Sequence, residues 1–308
     1  PHLPHPAPRP TSAPLLLPPR AQMMEEDFEA AAGPAPPEDV PLGGSSGPLP
    51  EAAEVGKFWA RPPAPVLDPA RDSLCFQQLE IDYTVERPHP RHYASAAPDS
   101  RAPVLRCFGV TREGNSVCMQ VYGFEPYFYV TAPPGFSPDD LESFRQVLNA
   151  RLAESSKDAS AGGAGGSLVL RVELESKRNV MGYQPQGPQA FLRVTVVLPN
   201  LVTACRTILE QGIEVPGLGQ RSFLTFESNV LYTLRFMIDQ GIVGGNWLEL
   251  PAGKYSHQTG GGISLCQYNL ALNYADLVSY PCEGPHQDVA KLRVLSIDIE
   301  CQGRKGHF

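Results

Sequence analysis

The chain has 308 residues, a length that suits two average domains, or one and a half domains with a tail. Its formal net charge is −8, which argues against a protein that holds nucleic acid by general electrostatic attraction. A nucleic-acid role would need local basic patches, or basic domains outside this chain. Hydrophobic residues make up 42% of the sequence, but residues 1–66 are dominated by Pro, Ala, Gly and Ser, so we expect a disordered tail there.

Cysteine spacing and hydropathy indicate the general class of protein. The seven cysteines are scattered, with no CxxC pair and no Cys/His spacing typical of metal ligands. We therefore expect free thiols, a reducing compartment and no zinc site. Since no apolar run approaches the roughly 18 residues of a membrane span, we expect a soluble intracellular protein that makes no membrane contact. The first methionine is Met23, which leaves the authenticity of residues 1–22 open.

Alternating and β-branched segments predict the strands. The first strand runs from Cys75 to Val85. Residues 104–111 and 116–123 are predicted to pair as a hairpin, because a four-residue turn containing Gly separates them. Further strands are predicted at residues 124–130, 168–174 and 190–198.

Three segments with helical spacing predict helices. Ser137, a following proline and two aspartates are typical of a helix start, and the apolar residues behind them are Leu141, Phe144, Leu148 and Leu152. Asn200 is predicted to cap a second helix, which Gly212 ends. A third helix is predicted from Ser228 to Gly241, and its single apolar face consists of Val230, Leu231, Leu234, Met237 and Ile238. This order of strands and helices predicts an α/β fold of the mixed α+β kind.

The segment VLSIDIEC, residues 294–301, is predicted to be a strand that carries two carboxylates. Side chains alternate along a strand, so Asp298 and Glu300 share one face, roughly 7 Å apart. Two such oxygen ligands could hold magnesium or manganese in a two-metal site for phosphodiester cleavage. The alternative is an ordinary half-buried strand with its carboxylates in water. Arg304 and Lys305 follow in a basic turn, either to dock a phosphate backbone or simply as a solvated turn.

Two aromatic features have structural and functional interpretations. The segment YGFEPYFYV, residues 122–130, holds five aromatic residues that could stack on bases. Packing into a core is the favoured interpretation. Trp247 is predicted to be a packing contact between the N-terminal region and the residues that follow it.

The segment VLSIDIECQGRKG closely resembles the first exonuclease motif of the family B DNA polymerases, in the form typical of delta catalytic subunits, LSFDIECAGRKG. Earlier segments resemble consecutive parts of the same family, so that the resemblance covers about residues 57–308. These segments are RPPAPVLDP, FQQLEIDY, YGFEPYFYVTAPPGF, LEQGIEVPGLG, ESNVLYTLRFMID and IVGGNWLELPAGKY. The motif departs from the family at Ile297, usually Phe, and at Gln302, usually Ala, and neither change removes a ligand.

The resemblance implies a fold and a site. Residues 67–285 are expected to form the family's N-terminal domain, with an oligonucleotide-binding-like part, and residues 286–308 the first strand of a ribonuclease H-like 3′→5′ exonuclease domain. Asp298 and Glu300 match the family's metal-binding carboxylates: the aspartate bridges two divalent ions, and the glutamate binds one and helps to orient the attacking water. Arg304 and Lys305 are the candidate DNA contacts.

The resemblance also implies an enzyme larger than this chain, a replicative DNA-directed DNA polymerase with a proofreading exonuclease. Its expected partners are DNA primer-template, accessory subunits and a sliding clamp, its ions Mg²⁺ or Mn²⁺, and its location the nucleus. The remaining exonuclease carboxylates, the polymerase site, and the cysteines for an iron–sulfur cluster and a zinc ion are expected beyond Phe308. We therefore expect this chain to be inactive alone. The alternatives are an oligonucleotide-binding module or a scaffold without catalysis.

Overall fold

A computed structural model of the protein describes residues 60–88, 100–158, 160–162, 166–179, 187–258 and 264–297. Within these ranges strands and helices are mixed along the chain, which confirms the predicted mixed α/β class. The strands form two main sheets, and each sheet has its own hydrophobic core. Among the described residues, no helix combines the length and the apolar character needed to cross a membrane.

The first sheet has seven strands and contains both early and late parts of the chain. Its order is β11-β12-β3-β2-β1-β10-β13, and only the β12–β3 pair is parallel. The strands are β1 (Leu74–Glu86), β2 (Ala102–Thr111), β3 (Ser116–Tyr122), β10 (Trp247–Leu250), β11 (Tyr255–His257), β12 (Tyr268–Asn273) and β13 (Val278–Tyr280). The predicted first strand and the predicted hairpin are therefore confirmed.

The first sheet curls into a barrel-like shape. β10 pairs with β1 near one end of the sheet, and β11 pairs with β12 at the other. Because only the turn Pro251–Lys254 separates β10 from β11, the chain itself brings the two ends together. A β1–β2–β3 meander completed by a strand parallel to β3 is a Greek-key arrangement of the oligonucleotide-binding type. The expected oligonucleotide-binding-like part is present as a fold.

The second sheet has four antiparallel strands in the order β5-β6-β4-β9. Its strands are β4 (Tyr127–Thr131), β5 (Val169–Lys177), β6 (Gln189–Val196) and β9 (Thr225–Phe226), and its helices are α1 (Leu141–Ser155) and α2 (Asn200–Gln211). The chain order β4-α1-β5-β6-α2-β9 is that of a split β-α-β unit. A small hairpin of β7 (Ile213–Val215) and β8 (Gly219–Arg221) follows α2.

The predicted aromatic strand starts three residues later than expected. β4 begins at Tyr127 and belongs to the second sheet, whereas β3 ends at Tyr122 in the first. Gly123 has a φ of 85°, and Pro126 has no N–H to donate to a ladder. The chain therefore leaves one sheet and enters the other between these two residues.

The first predicted helix is confirmed, but the predicted cap of the second is wrong. Ser137 precedes a short 3₁₀ turn, its N–H and hydroxyl both donating to Asp140 at 2.8 Å, and α1 then buries Phe144, Leu148 and Leu152. The N-cap of α2 is Pro199, and Asn200 is already helical. The Asn200 amide donates to the Asp158 carboxylate instead, because that neighbour competes for its hydrogen bond.

The third predicted helix is shorter than expected and faces the other way. α3 spans Tyr232–Asp239 with Leu231 as its N-cap. Glu227 has a φ of 58°, so the chain turns out of helical geometry before the helix begins. The residues that α3 buries are Tyr232, Arg235 and Phe236, whereas the predicted apolar face is largely exposed.

Ordered contacts begin before residue 66, where the sequence places the end of the tail. The carbonyl oxygen of Pro62 accepts from the amides of Asn115 and Gln267, at 3.2 and 2.7 Å. The Tyr268 hydroxyl donates to the carbonyl of Pro65 at 2.9 Å. Backbone carbonyls of a proline-rich segment can thus be satisfied by side chains of the barrel, which composition alone does not reveal.

Candidate functional site

The predicted site residues Asp298, Glu300, Arg304 and Lys305 lie outside the described residues. The structure therefore tests neither their geometry nor their contacts. The described part of the chain ends with residues 291–297, which lead directly into the predicted carboxylate pair. We call residues 291–297 the approach segment. The structure describes this segment and the contacts that hold the residues just before it.

The approach segment is not a strand, so the prediction for residues 294–301 is wrong in its described part, residues 294–297. Residues 291–297 have no secondary structure, and Leu295 and Ile297 are 66% and 71% exposed. An extended segment becomes a stable strand only beside hydrogen-bonding neighbours. Among the described strands, none pairs with residues 294–297. The alternation of apolar and polar residues predicted a strand, but at residues 294–297 no described strand pairs with it.

The residues just before the approach segment are firmly held. The indole N–H of Trp247 donates to the backbone carbonyl of Asp288 at 3.2 Å, and Trp247 is fully buried in β10. Arg112, in the β2–β3 turn, forms an ion pair with the Asp288 carboxylate and donates to the carbonyl of Pro285 at 3.0 Å. Its guanidinium also lies 4.3 Å from the Trp247 ring centroid. These contacts confirm Trp247 as a packing contact between the N-terminal region and the residues that follow.

A buried glutamine makes the last of these contacts. Gln77 in β1 accepts from the N–H of Ala290 at 2.8 Å and donates to the carbonyl of Gly245 at 3.0 Å. Gln77 and Ala290 are 8% and 5% exposed, so the Ala290 N–H is satisfied away from water. Beyond Ala290, the Arg293 guanidinium donates to the carbonyl of Ala60 at 2.9 Å. The chain is thus fixed to the barrel up to residue 290.

The sequence did not identify Arg112, Gln77 or Asp288. Arg112 and Asp288 are 176 residues apart, and a charged residue in a hairpin turn normally lies in water. The local sequence contains no signal for such a pair. The pairing becomes visible only when β1, β10 and the hairpin turn are assembled.

The thiol of Cys75, near this contact region, has a raised pKa. Burial raises the pKa of Cys75 to about 11, and the Glu249 carboxylate adds to the rise. Cys75 is therefore protonated at neutral pH, and a thiol reacts mainly as thiolate. Burial likewise raises the pKa of Cys205 to about 12.

Metal binding depends on residues outside the described part. Two carboxylates are the hard oxygen donors that Mg²⁺ and Mn²⁺ prefer, so the chemistry of Asp298 and Glu300 fits such an ion. In the part of the chain that the structure describes, no group of three His, Cys, Asp or Glu residues could hold a metal. Further ligands for the predicted site would have to come from elsewhere.

Four of the five aromatic residues at 122–130 are buried, which favours the packing interpretation. These four are Tyr122, Phe124, Tyr127 and Phe128, at 4%, 4%, 8% and 0% exposure. The Tyr127 hydroxyl donates to the Asp239 carboxylate at 2.7 Å. Burial and this hydrogen bond raise the pKa of Tyr127. Its ring is occupied as well, since the guanidinium of Arg193 lies 3.9 Å from the ring centroid. Such a ring is not free to stack on a base.

A buried cation joins α3 to the second sheet. The Arg235 side chain is 8% exposed, forms an ion pair with Glu227, and lies 3.6 Å from Asp239. The guanidinium is also 5.1 Å from the Tyr127 ring centroid. The i, i+4 spacing of Arg235 and Asp239 was the one signal in the sequence for this network.

Comparisons with known proteins agree in the family they indicate. The family model described as the exonuclease domain of DNA polymerase family B matches residues 223–308. The model described as the N-terminal domain of proteins like the DNA polymerase delta catalytic subunit matches residues 123–203. Both matches lie within the region whose segments resemble that family.

Curated relatives carry the same description. The DNA polymerase delta catalytic subunit of Arabidopsis thaliana is 49% identical over 251 residues, 81% of this chain and 22% of the relative. That of Oryza sativa subsp. japonica is 50% identical over 254 residues, with the same two shares. That of Mesocricetus auratus is 44% identical over 289 residues, 94% of this chain and 25% of the relative. The chain thus spans about a fifth to a quarter of the length of these relatives.

Proposed function

We propose that this chain, which belongs to the family B DNA polymerases of the delta catalytic subunit type, forms the N-terminal part of a replicative DNA polymerase and the beginning of its 3′→5′ proofreading exonuclease. One observation carries the proposal. The Asp-x-Glu pair at residues 298 and 300 lies within the residues that the exonuclease domain model matches. A lone Asp-x-Glu is a common pattern, but its position in this domain match supports a role in metal binding.

In the proposed reaction, Asp298 and Glu300 hold divalent ions through their carboxylate oxygens, and we propose Mg²⁺ or Mn²⁺ as those ions. When bound, the ions supply an activated water and stabilise the leaving oxygen of a phosphodiester. By the resemblance, Asp298 would help to hold both ions, and Glu300 would hold one of them and help to orient the attacking water. Arg304 and Lys305 bind the phosphate backbone of the DNA strand, because their charges complement its own.

We propose that the N-terminal domain covers residues 67–285 and that residues 286–308 begin the exonuclease domain. The pairing of β10 with β1 and of β12 with β3 supports this division, since residues up to Tyr280 complete the same sheet as β1. The exonuclease domain model begins earlier, at Phe223. Within residues 223–285, the strands β10 to β13 belong to the first sheet, whereas β9 (Thr225–Phe226) pairs with β4 in the second. We propose a disordered tail for residues 1–66 from composition; residues 1–59 of it lie outside the described residues.

The other parts of the expected enzyme are proposals about a longer protein. We propose that it works in the nucleus on DNA primer-template, with accessory subunits and a sliding clamp. We place its iron–sulfur cluster and zinc outside residues 1–308, because the seven cysteines here lack the paired spacing of such ligands. The relatives' additional length would also supply the polymerase site. This chain alone is proposed to be inactive.

The experiment compares this chain with a polypeptide extended to the length of its relatives. Each is incubated with single-stranded DNA labelled at its 5′ end and with Mg²⁺. We expect 3′→5′ degradation by the extended protein, loss of that degradation in Asp298→Ala, and none by this chain. Glu283→Gln removes an exposed carboxylate outside the pair and should leave activity unchanged. Degradation by this chain alone, or full activity of Asp298→Ala, would contradict the proposal.

The Greek-key barrel favours a second candidate, a module that binds single-stranded nucleic acid without catalysis. In this fold the ligand lies on the face of the second and third strands and between two loops. The charge of −8 counts against independent binding. Anisotropy of a labelled oligonucleotide at increasing salt decides between the candidates. Binding by this chain that weakens with salt supports the module, and its absence at low salt excludes it.

A further inference from the structure

The outward side of α3 is an exposed apolar stripe. Leu231, Leu234 and Ile238 are 71%, 45% and 56% exposed. Their spacing of three and four residues places them on one side of the helix, and we call them the α3 outer face. A helix of a soluble protein normally turns such a stripe toward a core.

The helix cannot rotate to bury this face, because its other side is fixed. The Tyr232 hydroxyl donates to the carbonyl of Phe124 at 2.6 Å, and the ring of Phe236 lies edge-on to that of Phe124, 5.3 Å between centroids. Arg235 is held by Glu227 and Asp239. Turning the outer face inward would expose two aromatic rings and break these polar contacts. The exposure of the outer face is therefore a consequence of how α3 is bound.

Exposed apolar side chains are concentrated in the same part of the chain. Eleven of the fifteen large hydrophobic residues exposed in the described ranges lie between Leu224 and Ile297. The match to the exonuclease domain begins at residue 223. A contiguous patch of exposed apolar side chains marks an interaction surface. The α3 outer face lies in the segment, from residue 223 onward, that holds most of the exposed large apolar residues.

We propose that the α3 outer face is an intramolecular docking surface, covered by the part of the exonuclease domain that follows the region matched here in the longer relatives. This inference rests on the proposed function. The length of the relatives supports this occupant, since 22% of the Arabidopsis thaliana relative is matched by this chain. The small size of the surface supports it too. A stable complex between separate molecules buries about 800 Å² on each partner, much more than three side chains supply, whereas a tethered segment avoids most of the entropy of association.

Cysteine labelling tests the proposal. Leu234→Cys and Ile238→Cys are made separately in a Cys282→Ser background, because Cys282 is itself exposed. Each variant is made in this chain and in the extended polypeptide, and maleimide labelling is followed by peptide mass spectrometry. Leu79→Cys, at a residue that is 52% exposed and precedes the domain match, is the matched control.

We expect labelling at residues 234 and 238 to be at least about tenfold slower in the extended polypeptide, and labelling at residue 79 to be similar in both. Equal rates at residues 234 and 238 in the two lengths would overturn the proposal. Slow labelling in this chain at every protein concentration would mean that other residues of this chain cover the α3 outer face. Slow labelling only at high protein concentration would mean that a second copy of the chain covers it. Either result also overturns it.

The exonuclease assay on the same extended protein separates the two proposals. An active protein with rapid labelling at residues 234 and 238 contradicts the docking surface and leaves the proposed function intact. A protein with slow labelling but no nuclease activity supports the docking surface and contradicts the proposed function.

Discussion

Helices α1 and α3 carry similar signals in the sequence and have opposite outcomes in the structure. Each was predicted from apolar residues at helical spacing. α1 buries Phe144, Leu148 and Leu152 as predicted. α3 exposes Leu234 and Ile238 and buries Tyr232, Arg235 and Phe236.

The difference shows that periodicity identifies an apolar face but does not decide which face is buried. α1 has one apolar face, and its neighbours are strands of the same split β-α-β unit. α3 has two candidate faces. The inner one combines two aromatic rings, a tyrosine hydroxyl with a backbone acceptor and a paired guanidinium. These groups gain directional contacts as well as burial, whereas the leucine stripe gains burial alone.

The largest expected difference between the helices is in core truncation. In α1, Phe144→Ala should lower the free energy of unfolding by about 3–5 kcal/mol, because it removes a fully buried ring and leaves a cavity. In α3, Leu234→Ala should change it by no more than about 0.5 kcal/mol in this chain, since Leu234 is 45% exposed. Urea unfolding followed by tryptophan fluorescence and by circular dichroism measures both. Similar losses for the two variants would contradict the assignment of the faces.

Local patterns were sufficient for much of the fold and failed where distant parts meet. The β2–β3 hairpin, the strands at residues 169–177 and 189–196, and α1 follow from alternation, turn residues and helical spacing. The closure of the barrel by β10 and β11 could not be predicted, because each is only three or four residues long and β10 pairs with β1, a strand far away in the sequence.

The candidate site likewise has a part that local sequence patterns predict and a part that they do not. The sequence singled out Asp298 and Glu300 by residue type and spacing, and their geometry stays a prediction. The contacts that hold the preceding residues were not predictable, since Arg112 meets Asp288 and Gln77 meets Ala290 across at least 176 residues of chain. The spacing of apolar residues within one helix or strand carries no information about contacts between residues so far apart in the sequence. The expected strand at residues 294–301 is not found in its described part, residues 294–297, for a related reason, because a strand depends on a neighbour as well as on its own residues.

A second way to test the comparison is to remove the cation from the inner face of α3. Arg235→Met should lower the free energy of unfolding by about 1–3 kcal/mol, because it removes the cation that lies beside the carboxylates of Glu227 and Asp239. The loss is moderated because these carboxylates are 47% and 24% exposed and regain water. The measurement is urea unfolding at neutral pH.

Arg206→Met is the matched control on α2. Arg206 is 37% exposed and 4.0 Å from Glu210, so its loss should change the free energy of unfolding by no more than about 0.5 kcal/mol. If Arg235→Met were as harmless as Arg206→Met, the polar contacts would not explain the orientation of α3. If Leu234→Cys labelling also slowed in Arg235→Met, the helix would have rotated to bury its outer face.

The smallest expected effect concerns pH at the start of α1. Hydrogen bonds from Arg145 and Gln146 lower the pKa of Glu142 from 4.5 to about 2. A carboxyl with a lowered pKa in the folded state adds stability above its unfolded pKa and loses that contribution as pH falls toward the folded pKa. Glu142→Gln should therefore lower the melting temperature at pH 7, with a difference from the unsubstituted protein that shrinks between pH 4.5 and 2.

The control for this prediction is at the other end of the same helix. Glu154→Gln removes a carboxylate whose oxygen is 3.8 Å from Arg151, with both side chains more than half exposed. That distance is too long for a good hydrogen bond, so the melting temperature at pH 7 should change less than in Glu142→Gln. Melting is followed by circular dichroism at several pH values. A Glu142→Gln difference that persists unchanged at low pH would mean that helix propensity, and not the ionised carboxylate, accounts for the effect, because protonation removes only the latter.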